Sequence, residues 1–230
     1  MDNILEKYEN IISKDYPLYI DMFYALEEGI DILESTDHTL LLRLKAWPLY
    51  YLLTDDEKEA IEIISNYEIN YIIVRNEIIE KYFLKKGFEE SKCFQAYYDG
   101  EPFKLNNDID IKKPNRYDLL EIGKTYNLGG LDAIMEADNN DDLFAAYKDK
   151  KLIGYVGIHG DGSMGMLYVF NDYRNKGYGS KLEKFVINLQ LERKHPPYGQ
   201  VIHDNFKSLS LQKKLNMKIS NGYIYWMWKE

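Results

Sequence analysis

The run Arg174-Asn175-Lys176-Gly177-Tyr178-Gly179 constrains this chain more than any other feature. It stands between an apolar segment, 164–170, that reads as a strand and a segment starting near Ser180 that reads as a helix. In that helix Leu182, Phe185, Val186 and Leu189 recur at i, i+3, i+4 and i+7. A strand, a short glycine turn and a helix start place several backbone N–H groups around one point, and the helix dipole adds partial positive charge there. Glycine permits the close approach and positive φ that larger residues resist. Arg174, Lys176 and Lys181 bring basic charge into a chain whose net charge is −9. The combination suits a pyrophosphate. It lacks the third glycine and the distal acid of a dinucleotide-binding turn, and no Lys-Ser/Thr pair follows the last glycine as in a Walker A loop.

The surrounding sequence alternates between strand and helix patterns. Residues 143–148 and 152–158 are apolar strands separated by Asp149-Lys150, and Gly160-Asp161-Gly162 turns the chain into 164–170. Pro196-Pro197 ends the helix over 180–195, and a strand at 200–203, a helix at 206–215 and an aromatic strand at 223–228 follow. Upstream, 108–112 reads as a strand, and 116–126 and 131–137 as short helices. The N-terminal half closes in the same order. A strand at 71–76 runs into a helix with Ile78/Tyr82 and Ile79/Phe83 at i, i+4, then Gly87-Phe88 and a strand at 92–98. With Asn76 laid on Asn205, Gly87 falls on Asn216, Phe94 on Tyr223 and Tyr97 on Trp226. Thr54-Asp55-Asp56-Glu57 reads as a capping box opening a helix over 55–65, opposite the helix at 180–195. The pattern reads as two related domains from an old duplication, 1–103 and 104–230, with the boundary within 98–107. The plainer alternative is the rhythm shared by any two α/β units. At the same offset Arg174–Gly179 falls on Lys45-Ala46-Trp47-Pro48-Leu49-Tyr50, which has no glycine, so the first domain lacks the loop.

Composition narrows the function classes. With 45% hydrophobic and 29% charged residues, the 230-residue chain can build a core, and no uncharged run approaches the roughly 20 apolar residues of a membrane span. Met1-Asp2-Asn3-Ile4-Leu5-Glu6 lacks a basic-then-apolar leader pattern, and the one cysteine, Cys93, cannot form an internal disulfide, so a reducing cytoplasm is expected. The acidic balance argues against nucleic acid and agrees with a cationic acceptor.

Leu167-Tyr168-Val169-Phe170-Asn171-Asp172-Tyr173 with the glycine run and Ser180-Lys181-Leu182 resembles the acetyl-CoA signature of the GNAT superfamily of N-acetyltransferases. Val201-Ile202-His203-Asp204-Asn205, with Ser208-Leu209 and Lys214-Leu215, is similar to the family's next strand and helix. The resemblance covers 108–230, and the two-domain layout with a degenerate first copy is similar to the glycine N-acyltransferase branch. It implies an α/β (α+β) fold with a mixed, splayed sheet and coenzyme A wedged between the strands at 164–170 and 200–203. The backbone of Leu167, Tyr168 and Val169 would pair with the pantetheine arm and polarise the thioester. Arg174, Asn175, Lys176, Gly177, Tyr178, Gly179 and Ser180 would hold the pyrophosphate, and Asn205 would meet the pantetheine or the diphosphate. The implied reaction is direct attack of a neutral primary amine, on a small molecule, amino acid or peptide, on acetyl-CoA as co-substrate, without a metal. Two residues depart from the family pattern. Gln212 stands where many members carry a thiolate-protonating tyrosine, and Asn216-Met217 replaces Gly-Phe, although asparagine tolerates the left-handed end of a helix. No catalytic residue is assigned, and a non-catalytic acyl-CoA-binding or sensing protein is the alternative. The acceptor, the acyl chain length and the oligomeric state stay open.

The remaining chemistry-bearing residues have competing readings. His203 could relay a proton or be structural, and His159, beside a turn, is the weaker candidate of the two. Asp161 could act as a base or stabilise its turn. Asp138-Asn139-Asn140-Asp141-Asp142 lacks the glycine and distal glutamate of a calcium loop and reads as a solvated connector. Cys93 reads as core, and Tyr223, Tyr225, Trp226 and Trp228 as packing residues or acceptor contacts.

Overall fold

The computed structural model describes residues 4–106 and 108–229. Met1-Asp2-Asn3, Asn107 and Glu230, touched by the readings of the N-terminus, the domain boundary and the last domain's end, lie outside the described residues. Among the described residues are eight α-helices and twelve strands. In chain order the first part runs α1 (Glu9–Ile12), α2 (Ile20–Glu28), β1 (Ile30–Ser35), β2 (Thr39–Leu44), β3 (Leu49–Thr54), α3 (Glu57–Ile64), β4 (Tyr71–Val74), α4 (Glu77–Lys85) and β5 (Glu89–Tyr97). The second runs β6 (Asp110–Lys112), α5 (Arg116–Gly123), α6 (Gly130–Asn139), β7 (Leu143–Lys148), β8 (Lys151–Ile158), β9 (Met164–Val169), α7 (Tyr178–Glu192), β10 (Tyr198–Ile202), α8 (Phe206–Lys214), β11 (Lys218–Ile219) and β12 (Ile224–Trp228). Both parts thus run strand, strand, strand, helix, strand, helix, strand, from β1 and from β7. The strands 30–54 escaped the pattern reading. β2 and β3 are buried along nearly their whole length, and such strands carry apolar runs without a period-2 alternation.

The chain forms two compact units, Met1–Tyr97 with Gln200–Glu230, and Tyr98–Gly199. This division differs from the repeat-based one at 103/104 for a topological reason. The last strand, β12, is inserted between β4 and β5, pairing antiparallel with β4 from Tyr225↔Val74 to Trp228↔Tyr71 and with β5 from Ile224↔Cys93 to Trp228↔Glu89. In the first unit Leu5 and Tyr8 of the 3-10 turn Ile4–Tyr8 ahead of α1, with Met22 and Ala25 of α2, cover one face of the sheet and meet Leu40, Leu42, Tyr51 and Ile73. On the other face Ala60, Ile64, Ile79 and Phe83 of α3 and α4 meet Leu41, Leu52, Ile72 and Met227. Full burial of each such Leu or Ile contributes about 1.5–3 kcal/mol. In the second unit α5 and α6 supply Leu119, Ile122, Ile134 and Ala137 to a core with Leu143, Ala145, Tyr155 and Met166. α7 buries Leu182, Val186 and Ile187, spaced i, i+4, i+5 along one stripe.

Three sequence readings need correction. The helix at 55–65 begins at Glu57 and is capped by Asp56, whose Oδ1 accepts the N–H groups of Lys58 (3.0 Å) and Glu59 (3.1 Å). Thr54 still belongs to β3, and its Oγ1 accepts the Asp56 N–H (3.0 Å) instead. The constant offset also fails upstream of that helix, because α7 has 15 residues and α3 only 8. The topological counterpart of the glycine loop is therefore the connector Asp55-Asp56, and Lys45–Tyr50 enters β3. Finally, Tyr198 and Gly199 already belong to β10, which the sequence starts at 200.

Candidate functional site

In the second unit β9 carries a bulge. Its register with β8 passes from Tyr155↔Tyr168 to Gly157↔Gly165, so one extra residue lies on β9, and Met166 takes φ 51°. A bulge turns consecutive residues out of the ladder, and a non-glycine residue at positive φ stores strain that surrounding packing must hold. β10 pairs with β9 in parallel at one register position, Gly199↔Met164. Beyond it Gly165, Leu167, Tyr168 and Val169 are only half-buried.

The chain then enters the glycine loop. Tyr173 N–H donates to Phe170 C=O (2.9 Å), Arg174 Nε–H donates to Val169 C=O (2.8 Å), and the guanidinium lies over the Tyr168 ring at 5.2 Å. Arg174 therefore ties the loop to the end of β9 and leaves its charge beside the strand. Asn175 (φ 60°) and Gly177 (φ 82°) both adopt the left-handed region. Gly177 is the N-cap of α7 and offers no side chain to cap it, so the first N–H groups of the helix have no intrahelical or capping partner. Gly179 does not use the positive φ that glycine permits, because it already lies within the helix. Asn175, Lys176 and Gly177 are exposed, and no acidic residue occupies the first turn of α7. Lys176 Nζ donates to Asp172 C=O (2.9 Å) and Lys148 Nζ to Tyr178 Oη (2.7 Å). Lys181 pairs with Asp108 and holds that carboxyl below its ordinary pKa. An exposed, uncapped helix start with backbone donors and two nearby ammonium groups can hold an anion of phosphate type.

The structure thus brings together Leu167, Tyr168, Val169 and the run Arg174–Ser180. Asn205 belongs to the other compact unit, where it is the N-cap of α8 and its Oδ1 accepts the Ser208 N–H (3.1 Å). Asn76, its counterpart, caps α4 in the same way through Ile78 N–H (2.7 Å). Gln212 is buried, and Asn216 takes φ 58° at the end of α8, the conformation expected of it. His203 is exposed, with its ring edge-on to Tyr223. Asp161 is buried in the β8–β9 turn, where its Oδ1 accepts from Ser163 Oγ (2.7 Å) and Ser163 N (3.2 Å). In the acidic run Asp142 pairs with Arg193 (2.5 Å) and Asp141 with Lys113. Cys93 is buried, as expected of a core residue. A cleft of about 830 Å³ beside β6 and the β7–β8 turn, lined by Asp108, Ile111, Lys112, Tyr147, Lys148 and Phe185, contains none of the predicted coenzyme residues.

The sequence ranks His159 as the weaker of two histidine candidates, and it gives no contact for the imidazole. Its Nδ1 lies 3.4 Å from Tyr126 Oη, and its Nε2 lies over Gly165, where a Cβ would collide with it. Gly165 was the available signal, as a glycine inside a strand often marks close approach by another group.

Residues 112–216 match the model of the acetyltransferase (GNAT) family, a little under half of the chain. No curated protein matches it. Among solved structures, a Drosophila protein aligns with 100% of this chain and 95% of its own at 11% identity, with a TM-score of 0.69. A GCN5-related N-acetyltransferase-like protein from Streptococcus suis aligns with 99% of this chain and 100% of its own at 16% identity, TM-score 0.53. An acetyltransferase of the GNAT family from Colwellia psychrerythraea aligns with 100% of this chain and 98% of its own at 11% identity, TM-score 0.53. At these identities the likeness is one of fold, the α/β fold with a mixed sheet found in GNAT acyltransferases.

Proposed function

We propose, taking as premise that residues 112–216 carry a GNAT acetyltransferase domain, that the protein transfers an acyl group from acetyl-CoA directly to a primary amine. The observation that carries this reading is the exposed, uncapped and acid-free start of α7, held by left-handed Asn175 and Gly177 at the end of a bulged strand. Asn175, Lys176, Gly177, Tyr178, Gly179 and Ser180 would hold the pyrophosphate through backbone N–H groups, with Arg174 fixing the loop. The backbone of Leu167, Tyr168 and Val169 would carry the pantetheine arm, and the bulge would turn an N–H toward the developing oxyanion. Asn205 is the remaining proposed contact. The acceptor is a small-molecule, amino-acid or peptide amine, and the reaction needs no metal. Among the described residues no helix is long and apolar enough to cross a membrane. The single buried cysteine supports a reducing compartment such as the cytoplasm.

A second reading, non-catalytic acyl-CoA binding or sensing, is favoured by Gln212, buried at the position of the thiolate-protonating tyrosine and unable to act as an acid. Calorimetry with acetyl-CoA, followed by thiol release over a panel of primary amines, separates the two. Binding with turnover supports transfer, binding without turnover supports sensing, and absence of binding overturns both.

We further read residues 1–103 as a degenerate copy of the domain at 104–230. The shared element order and the matching helix caps Asn76 and Asn205 support an old duplication.

A further inference from the structure

We propose that His159 accepts the proton of the attacking amine, with Tyr126 holding the imidazole in place; the proposal rests on the acyltransferase reading above. The backbone of His159 is fixed by the β8–β9 hairpin, its N–H donating to Ser163 C=O (2.9 Å) and its C=O accepting from Gly162 N–H (2.8 Å). Tyr126, in the connection between α5 and α6, reaches Nδ1 at 3.4 Å, with the two rings 6.3 Å apart. With Nδ1–H donating to the phenol oxygen, Nε2 carries the lone pair. That nitrogen lies directly over Gly165, next in sequence to the bulged Met166, and Gly165 alone leaves room for it. The only side chain with an imidazole in the second unit's hairpin is thus laid on the one distorted stretch of β9, where the thioester would sit.

The groups acting on the ring are Tyr126 at Nδ1 and Asp161 of the same turn, and Glu136 of α6 approaches the neighbouring Gly160. Burial is the largest influence and holds the imidazole below its ordinary pKa, while the Asp161 charge opposes it. The ring is therefore neutral at pH 7 and able to take a proton. In the step itself the amine nitrogen attacks the thioester carbon and the C–N bond forms. The proton on that nitrogen passes to Nε2, the C–S bond breaks, and the departing thiolate takes a proton from water. The imidazolium then loses its proton to solvent.

The test uses the full chain, acetyl-CoA, and benzylamine, putrescine, lysine and glycine methyl ester as acceptors, with thiol release recorded from pH 5 to 9 and acetyl-CoA affinity measured by calorimetry. For wild type kcat should rise with pH through a midpoint below the ordinary histidine value of about 6.5. His159→Gln should lower kcat about 10²–10³-fold and remove that titration, with acetyl-CoA affinity within twofold of wild type. Tyr126→Phe should lower kcat a few-fold and displace the midpoint. Wild-type turnover with an unchanged rate and pH profile in His159→Gln overturns the proposal and leaves the transferase reading standing. Should His159→Gln not fold, the same unchanged behaviour in Tyr126→Phe overturns it. Acetyl-CoA binding without turnover on any of the amines, or no binding, removes the transferase reading and the proposal with it.

Discussion

Two helix starts occupy the same place in the order of elements, α3 after β3 and α7 after β9, and they are chemically opposite. Two residues connect β3 to α3, and Asp56 caps the helix through Lys58 and Glu59 N–H, with Glu57 and Glu59 in the first turn. Eight residues, 170–177, connect β9 to α7, which begins at an exposed glycine with no side-chain cap and no acid in its first turn. The first arrangement satisfies the orphan donors and positive dipole of a helix start with the protein's own carboxylates, and the second supplies no side-chain cap, the feature on which the proposed pyrophosphate site rests. The neighbouring strands differ in the same sense. β3 and β4 hold three register pairs, Leu49↔Tyr71, Tyr50↔Ile72 and Tyr51↔Ile73, whereas β9 and β10 hold one. Arg75, just past β4, then closes the first unit. Its Nη1–H donates to Leu52 C=O on β3 (3.1 Å), its Nε–H to Leu18 C=O (2.9 Å), and its Nη2 to the fully buried Asp21. The first half thus differs from the second in three features: a shorter connector, a self-capped helix and a guanidinium bonded to the β3 backbone.

The sharpest way to break this comparison is at Arg75. Arg75→Leu leaves Asp21 buried without its cation and should destabilise the protein by about 3–5 kcal/mol by denaturant titration, without creating coenzyme affinity in the first unit. A stable variant that bound a second acetyl-CoA would mean that the guanidinium alone closes a working site. Next in size is Gly177→Val, which puts a β-branched residue at φ 82°. Backbone strain of about 1–3 kcal/mol should move the loop and reduce coenzyme affinity at least about 100-fold with the circular-dichroism spectrum unchanged. Normal binding by that variant would refute the loop assignment. Ser180→Glu carries the acidity of α3 over to α7. An acid in the first turn should raise thermal stability by about 0.3–1 kcal/mol while lowering coenzyme affinity about tenfold, so the two readouts move in opposite directions. A rise or no change in affinity would mean that the helix start does not meet the phosphates.

The smallest effect concerns α4 and its counterpart α8. Glu80 is buried against Glu90, and burial first, then that contact, raises its carboxyl pKa. The equivalent position on α8 is Leu209. A carboxyl whose folded pKa lies above its unfolded one stabilises while protonated, and the contribution fades as pH rises through the folded value. Glu80→Gln should therefore match wild type near pH 4.5 and gain up to about 1 kcal/mol in thermal unfolding at pH 7.5 and above. An equal gain at both pH values would exclude a raised Glu80 pKa as the cause.

Much of the second unit was legible because local chemistry and tertiary structure agree there. The glycine run, the polar turns and the i, i+3, i+4, i+7 stripe of α7 each mark their element without outside help. The first unit was half hidden for the opposite reason, since β2 and β3 are buried on both faces and carry no period. The exchanged position of β12 left no local signal either, because strand order depends on which ladder partners meet and not on the strand's own residues.

The sequence by itself determined the local character of the turn before α7: the glycine and asparagine that tolerate positive φ, and the lack of acids in the first turn of α7, are properties of the residues at those positions. Three things were left to the tertiary structure. Insertion of β12 between β4 and β5 divides the chain into compact units that its repeat does not predict. The extra residue of β9 bends the strand at Met166, which follows from pairing with β8. That same pairing lays His159 over Gly165, turning a histidine beside a turn into a candidate base. Backbone preference is a local quantity, whereas register and side-chain contact exist only once distant segments have met.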